Sequence, residues 1–231
     1  MNILVLAGGL SPERDVSLSS GSLISAALRR RGHAVLMLDV YEGIDIADRE
    51  PLSLFTSDEQ GAFAVDESIP DLEALKRKNN NKEELIGTGV LKMCAVADLV
   101  FIALHGAMGE NGQLQATLDN FGIKYTGSGY IGSLLAMDKD ISKKMLSHAG
   151  VRTPRWKYCS ASEYDADAII AEVGLPLVVK PASCGSSVGV SFADTREELI
   201  AAFELAKRYE DRVLVEEKIV GREFYLRNTR G

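Results

Sequence analysis

The segment VVKPASCGSSVGV places Lys180 close to the end of an apolar run and follows it with a loop of small residues, Ala182 to Gly189. Exposed amides in such a loop can cradle phosphate, and the lysine ammonium can meet its charge. The lysine precedes the glycines, so the order is not that of a Walker loop. A lysine at a strand end also serves by snorkelling to solvent, and GSSVG also serves as a flexible turn. Lys139, in MDKDISKK, opens a helix, where a cation opposes the helix dipole unless an anion is bound nearby. Beside Lys143 and Lys144 it also reads as solvated charge. Glu216, Glu217 and Glu223 gather near the last strand, where carboxylates can accept from the amino group of a base or from ribose hydroxyls, or simply form a solvated acidic edge. Glu13, in SPERDVS behind Gly8-Gly9, can meet a substrate ammonium or interact with a helix dipole. His105 ends a strand, a position that suits binding and equally suits capping or packing.

The elements that must hold these residues follow from hydrophobic period and turn chemistry. Asn2 to Ala7 is a continuous apolar run of the kind found in buried parallel strands. Val16 to Arg31 carries Leu18, Leu23, Ile24, Ala27 and Leu28 at roughly helical spacing, with Gly32 as a left-handed stop, and Ala34 to Val40 is the next strand. Strand, helix, strand in this order predicts a doubly wound parallel sheet with its ligand site at the carboxyl ends of the strands. Tyr41 to Gly89 is polar and predicts loops, a short hairpin around Gly61 and one helix over Asp71 to Lys78. Ala97 to Leu104 is a third strand feeding HGAMGENG and a helix through Leu114, Leu118 and Phe121. Two helices, Tyr130 to Met137 and Lys139 to His148, precede an extended stretch from Pro154. The second half then alternates: helix Ser162 to Val173, strand Pro176 to Pro181, strand Val190 to Ala193, helix Thr195 to Tyr209 and strand Arg212 to Lys218. Thr195 and Glu198 have the spacing of a capping box.

The formal net charge of -7 gives no positive field to gather nucleic acid or an anionic membrane surface. No apolar run reaches the ~20 residues of a membrane span, nor does the amino terminus have the pattern of a signal peptide. Cys94, Cys159 and Cys184 form no CxxC pair, and three histidines offer little for a metal site, so a reduced, cytoplasmic setting is expected. A nicotinamide-dependent dehydrogenase is disfavoured because the full GxGxxG fingerprint is missing, although Asp39 follows the second strand as an acid there would.

Taken together, AGGLSPERDVSLSSG, ALHGAMGENGQLQATLDNFGIKYTGSG, AMDKDISKKML, LPLVVKPASCGSSVGVS and VLVEEKIVGREF resemble, in this order, the D-alanine-D-alanine ligase family of ATP-grasp enzymes. The resemblance implies an α/β protein: a doubly wound amino-terminal domain over 1–127 that binds the first D-alanine, a central α+β ATP-grasp subdomain over 128–220, and at 221–231 either the start of a third domain or a foreign tail. It implies ATP-dependent joining of two D-alanines through an acyl phosphate for peptidoglycan synthesis. Lys139 and Lys180 would bind the phosphates under a loop containing Ser183 and Ser187. Glu216 would accept from the adenine amino group, Glu217 would face the base through its backbone, and Glu223 would hold the ribose. Glu13, partnered by Ser186, would take the ammonium of the first D-alanine, with His105 beside its carboxylate. Magnesium or manganese is implied, with ligands from a domain this chain lacks, so the chain alone is expected to be inactive. A homodimer through the amino-terminal domain is also implied. Ligases forming D-alanine-D-lactate or D-alanine-D-serine, and a nucleotide-binding module without turnover, remain as alternatives.

Overall fold

The structure is a computed structural model that describes residues 1–58, 70–185 and 187–224. Three expectations, the hairpin around Gly61, Ser186 and most of the tail at 221–231, fall wholly or largely outside the described residues. The chain divides into two compact units, Met1–Met137 and Asp138–Gly231.

The first unit is built on three parallel strands, β1 (Asn2–Ala7), β2 (Ala34–Asp39) and β3 (Leu99–Ile102), in the order β2-β1-β3. The central strand is buried on both faces from Ile3 to Ala7, which explains its unbroken apolar run. Helix α1 (Arg14–Arg30) packs on β1 and β2. Its fully buried residues are Ser17, Gly21, Ser25 and Arg29, while Leu23 is exposed. The stripe nearest the sheet is therefore the small one, and Leu18, Ile24 and Leu28 flank it against Ile3 and Val5. Close approach is the reason: a Cβ on Gly21 would lie 2.8 Å from that of Ala7.

Between β2 and β3 come a 3-10 turn over Pro51–Leu54, α2 (Leu72–Lys78), capped by the Asp71 side chain, and α3 (Val90–Val96). The sequence pattern does not announce α3. Its seven residues are too few to show a helical period, yet Val90, Met93 and Cys94 are buried in the main core. Helix α4 (Gln113–Asn120) follows the glycine loop after β3, and α5 (Tyr130–Met137) packs on α4.

The second unit begins with α6 (Lys139–His148) and is centred on an antiparallel sheet. Its strands are β4 (Trp156–Ser160), β5 (Leu177–Pro181), β6 (Ser191–Ala193) and β7 (Arg212–Glu217), in the order β4-β7-β5-β6. Helices α7 (Ala166–Val173) and α8 (Arg196–Ala206) contribute Ile169, Val173, Leu199 and Phe203 to a core shared with Leu177, Val179, Val213 and Val215. The Thr195 and Glu198 capping box forms as the sequence predicts. β4 is legible in the sequence only as an extended stretch, because its residues are nearly all half-buried and show no apolar alternation.

Side chains alternate across a strand, so residues opposite the core face share the other face. The register pairs Val178 with Glu216, Lys180 with Leu214 and Trp156 with Glu216. Lys180, Glu216 and Trp156 are thereby set on one side of the sheet, with the hydrophobic core on the other.

Candidate functional site

In the first unit the loops after β1 and β3 meet. Ser17 is wholly buried, and its Oγ accepts from the Gly8 amide at 2.9 Å and donates to the Ala103 carbonyl at 2.8 Å. One hydroxyl thus ties together the two strand ends that carry Glu13 and His105. Glu13 occupies the position before α1, its amide bound by Ser11 Oγ at 3.1 Å. Its carboxylate lies against Gly106: a Cβ there would stand 2.7 Å from Glu13 Oε2. Gly106 has φ +77 and no side chain, which opens that space, and its amide donates to Glu110 Oε2 at 2.7 Å. His105 Nε2 is 3.2 Å from Ser20 Oγ. The structure therefore brings Glu13 close to the loop carrying His105.

The turn that presents Glu13 is itself pinned. Arg14 pairs with Asp39 at 2.6 Å and donates to the Gly9 carbonyl at 3.1 Å. Asp39 Oδ1 accepts from the amides of Tyr41 and Glu42 at 2.9 and 3.0 Å. Asp39 is therefore engaged with its own backbone and Arg14, not set out as a ribose acceptor.

In the second unit Lys139 and Lys180 are close enough that Lys180 helps to hold the Lys139 pKa below the ordinary lysine value, burial being the larger cause. Lys139 Nζ donates to the carbonyls of Cys184 at 2.6 Å and Ala182 at 3.3 Å, which anchors the stem of the small-residue loop. The helix behind it is capped by Asp138, whose carboxylate accepts from the amides of Asp140 and Ile141. Ser183 is at the loop entrance, its amide bound to Glu210 at 2.8 Å and its hydroxyl accepting from Arg212 at 2.8 Å. Ser187 is exposed in left-handed backbone at φ 58. Ser186 lies outside the described residues.

Lys180 pairs with Glu216 Oε1, and Lys143 takes the other carboxylate oxygen at 2.6 Å. Lys143 is buried, and the sequence did not single it out. The sequence missed it because α6 carries three lysines and little apolar pattern to say which faces inward. Asp140 was overlooked for the same reason; it accepts from Trp156 Nε1 at 2.9 Å. Glu217 is bound by the Arg155 amide at 2.9 Å and its guanidinium at 3.0 Å, contacts that hold its carboxyl below the usual range, the backbone bond contributing most. Glu216, Glu217 and the exposed Glu223 line a cleft of about 450 Å³ with Val178, Phe192 and Ile219. Three apolar side chains and a row of acceptors suit a flat heteroaromatic ring bearing amino and hydroxyl groups. A larger, mostly apolar cleft of about 790 Å³ in the first unit touches none of the predicted site residues.

Comparison with known proteins shows the family. A family model described as D-ala D-ala ligase N-terminus matches residues 2–128, and one described as D-ala D-ala ligase C-terminus matches residues 145–227. A D-alanine--D-alanine ligase of Pediococcus pentosaceus is 40% identical over 98% of this chain and 65% of its own length. One from Desulforudis audaxviator is 39% identical over 95% of this chain and 58% of its own. Among solved structures, a D-alanine--D-alanine ligase from Bacillus anthracis superposes with a TM-score of 0.67 at 30% identity, covering 96% of this chain and 58% of that one. A D-alanine--D-alanine ligase from Bacillus anthracis complexed with ATP gives 0.66 at 26% identity, covering 96% and 60%. The chain thus spans about 58–65% of the relatives it matches. With its parallel and antiparallel α/β sheets and a family model over more than half its length, the chain belongs to the D-alanine-D-alanine ligase family.

Proposed function

We propose that the protein joins two D-alanines at the expense of ATP, as an ADP-forming ligase of peptidoglycan synthesis, with an acyl phosphate of the first D-alanine as intermediate. The observation that carries this reading is the grouping of Lys139, Lys180 and Glu216 beside a cleft lined by Glu217 and Glu223. A carboxylate resists attack by an amine, and phosphorylation makes it an acceptor. Compact ammonium groups suit that step, because they offset repulsion among the phosphates and the charge that develops on transfer.

In this reading Lys139 and Lys180 bind the phosphates and the Ser183 to Gly189 segment covers them. Glu216 receives the adenine amino group, Glu217 meets the base through its backbone, and Glu223 holds the ribose. Glu13 takes the ammonium of the first D-alanine and His105 lies beside its carboxylate. The carboxylate of Glu13 against Gly106, in the turn after His105, supports that pairing. Ser186 is assigned as the partner of Glu13 on sequence alone. We assign residues 1–127 to the domain for the first D-alanine and 128–220 to the central ATP-grasp subdomain, with 221–231 either the start of a third domain or a foreign tail.

A divalent cation accompanies ATP in this chemistry. Among the described residues no group of three or more His, Cys, Asp or Glu side chains is placed to hold one. These residues do not fit the metal, and no step is routed through it. No helix of the described residues is long and apolar enough to cross a membrane, and a cytoplasmic location is part of this proposal. Exposed Phe121, just after α4, and Ile131 and Leu134 on α5 support a homodimer through the first unit, testable by sedimentation.

The test is phosphate release from ATP by the whole protein on addition of D-alanine, with the product read by mass spectrometry. D-Alanyl-D-alanine is expected. Products carrying D-lactate or D-serine from mixed substrates would move the assignment to those ligases, and nucleotide binding without turnover would reduce it to a binding module.

A further inference from the structure

The nucleotide reading leaves Lys143 without a task, although it is the most buried cation of its cluster. Two lysines divide one carboxylate: Lys143 holds Glu216 Oε2 at 2.6 Å and Lys180 holds Oε1. They are anchored unequally. The Lys143 side chain is 9% exposed, donates also to Thr153 Oγ1 at 2.7 Å, and lies 5.0 Å from the centre of the Trp156 ring. That ring is held in turn by Asp140. The Lys180 side chain is 21% exposed and lies next to Lys139, which repels it.

We infer that Lys143 is a positioning residue, the standing counter-ion of Glu216, and that it frees Lys180 to leave this carboxylate for an incoming polyphosphate. The inference rests on the reading of Lys139 and Lys180 as the phosphate site. Removing the sole partner of a buried charge is strongly unfavourable. With Lys143 in place, Glu216 keeps one ion pair when Lys180 turns to the phosphate, and stays fixed in the cleft. Without it, each phosphate bound by Lys180 leaves a bare carboxylate behind.

Inorganic tripolyphosphate isolates this effect, because it carries no base for Glu216 to recognise. Calorimetric titration of the chain should show Lys143→Met weakening tripolyphosphate by roughly tenfold to a hundredfold. Lys143→Arg should keep most of the affinity. Lys143→Met combined with Glu216→Gln should restore it, since no carboxylate then competes for Lys180. A purely structural lysine would not be rescued in that way, so a double variant that binds no better than Lys143→Met overturns the inference. So does full affinity in Lys143→Met when Lys180→Ala has lost it. If Lys143→Met does not fold, the double variant decides, and weak binding by it against Glu216→Gln alone is a contradiction. Unchanged binding in Lys180→Ala, or none by the unaltered chain, removes the phosphate site and this inference with it.

Discussion

Two serines of α1 are both buried, and the same substitution should act on them in opposite directions. Ser17 and Ser25 are 0% and 1% exposed on the same helix stripe. Ser17 Oγ serves two backbone groups, the Gly8 N–H and the Ala103 C=O, at 2.9 and 2.8 Å. Ser25 Oγ is buried with no hydrogen-bond partner among the described residues. Ser17→Ala strands a buried donor and a buried acceptor, each costing about 1–3 kcal/mol, against a gain of about 0.5 kcal/mol in helix propensity. A net loss of about 1.5–5.5 kcal/mol corresponds to a fall in Tm of roughly 5–20 °C for a unit of this size. Ser25→Ala removes an unsatisfied hydroxyl and should raise stability by up to about 1 kcal/mol. Scanning calorimetry or urea unfolding of the two variants reads the difference. Because Ser17 joins the strand ends that carry Glu13 and His105, Ser17→Ala should also raise the KM for D-alanine in the whole protein. Equal effects of the two substitutions on Tm would refute the argument that the paired hydroxyl, and not burial, sets the cost.

Other consequences arise from single contacts. Gly106→Ala forces a side chain onto left-handed backbone and onto Glu13 Oε2, 2.7 Å from the new Cβ; D-alanine binding should fall by at least about tenfold while ATP binding is kept, as calorimetry with each ligand would show. Lys139 has a folded pKa below the ordinary lysine value because of burial and Lys180, so its charge is a cost to the unliganded fold below that pKa, and the cost fades as pH rises through it toward the unfolded value. A bound polyanion reverses that repulsion and draws a proton in the same window, so phosphate affinity should decline with rising pH there; the trend is checked by titrating in two buffers of different ionisation enthalpy. Burial pushes the Cys94 thiol up to about 12 and Cys159 to about 11, so both should resist iodoacetamide at pH 8 in the folded chain and react on unfolding, by mass spectrometry.

What could be read from the residues alone was the order of elements and the chemical types at the strand ends. β1 announces itself because both its faces are buried, and the Thr195 cap because its spacing is short and local. Faces were harder. On α1 the eye follows Leu23 and Ile24, whereas Ser17 and Gly21 approach the sheet most closely, since small residues allow contact that no hydropathy pattern reveals. On α6 the charged residues Lys139, Asp140, Lys143 and Lys144 look alike in sequence; only β7 and β4, brought alongside by register, separate the buried from the solvated. The pairing of Glu216 with two lysines joins residues far apart in the chain, and no local pattern records it.

The central claim is that α6 and β5 present their two lysines to the phosphates of ATP. It is tested most directly by titrating ATP into the unaltered chain and into a Lys139→Ala, Lys180→Ala variant under identical salt and pH. A loss of affinity of roughly a hundredfold or more in the variant, with its fold intact by circular dichroism, is the predicted result. Equal affinity in the two proteins would contradict it.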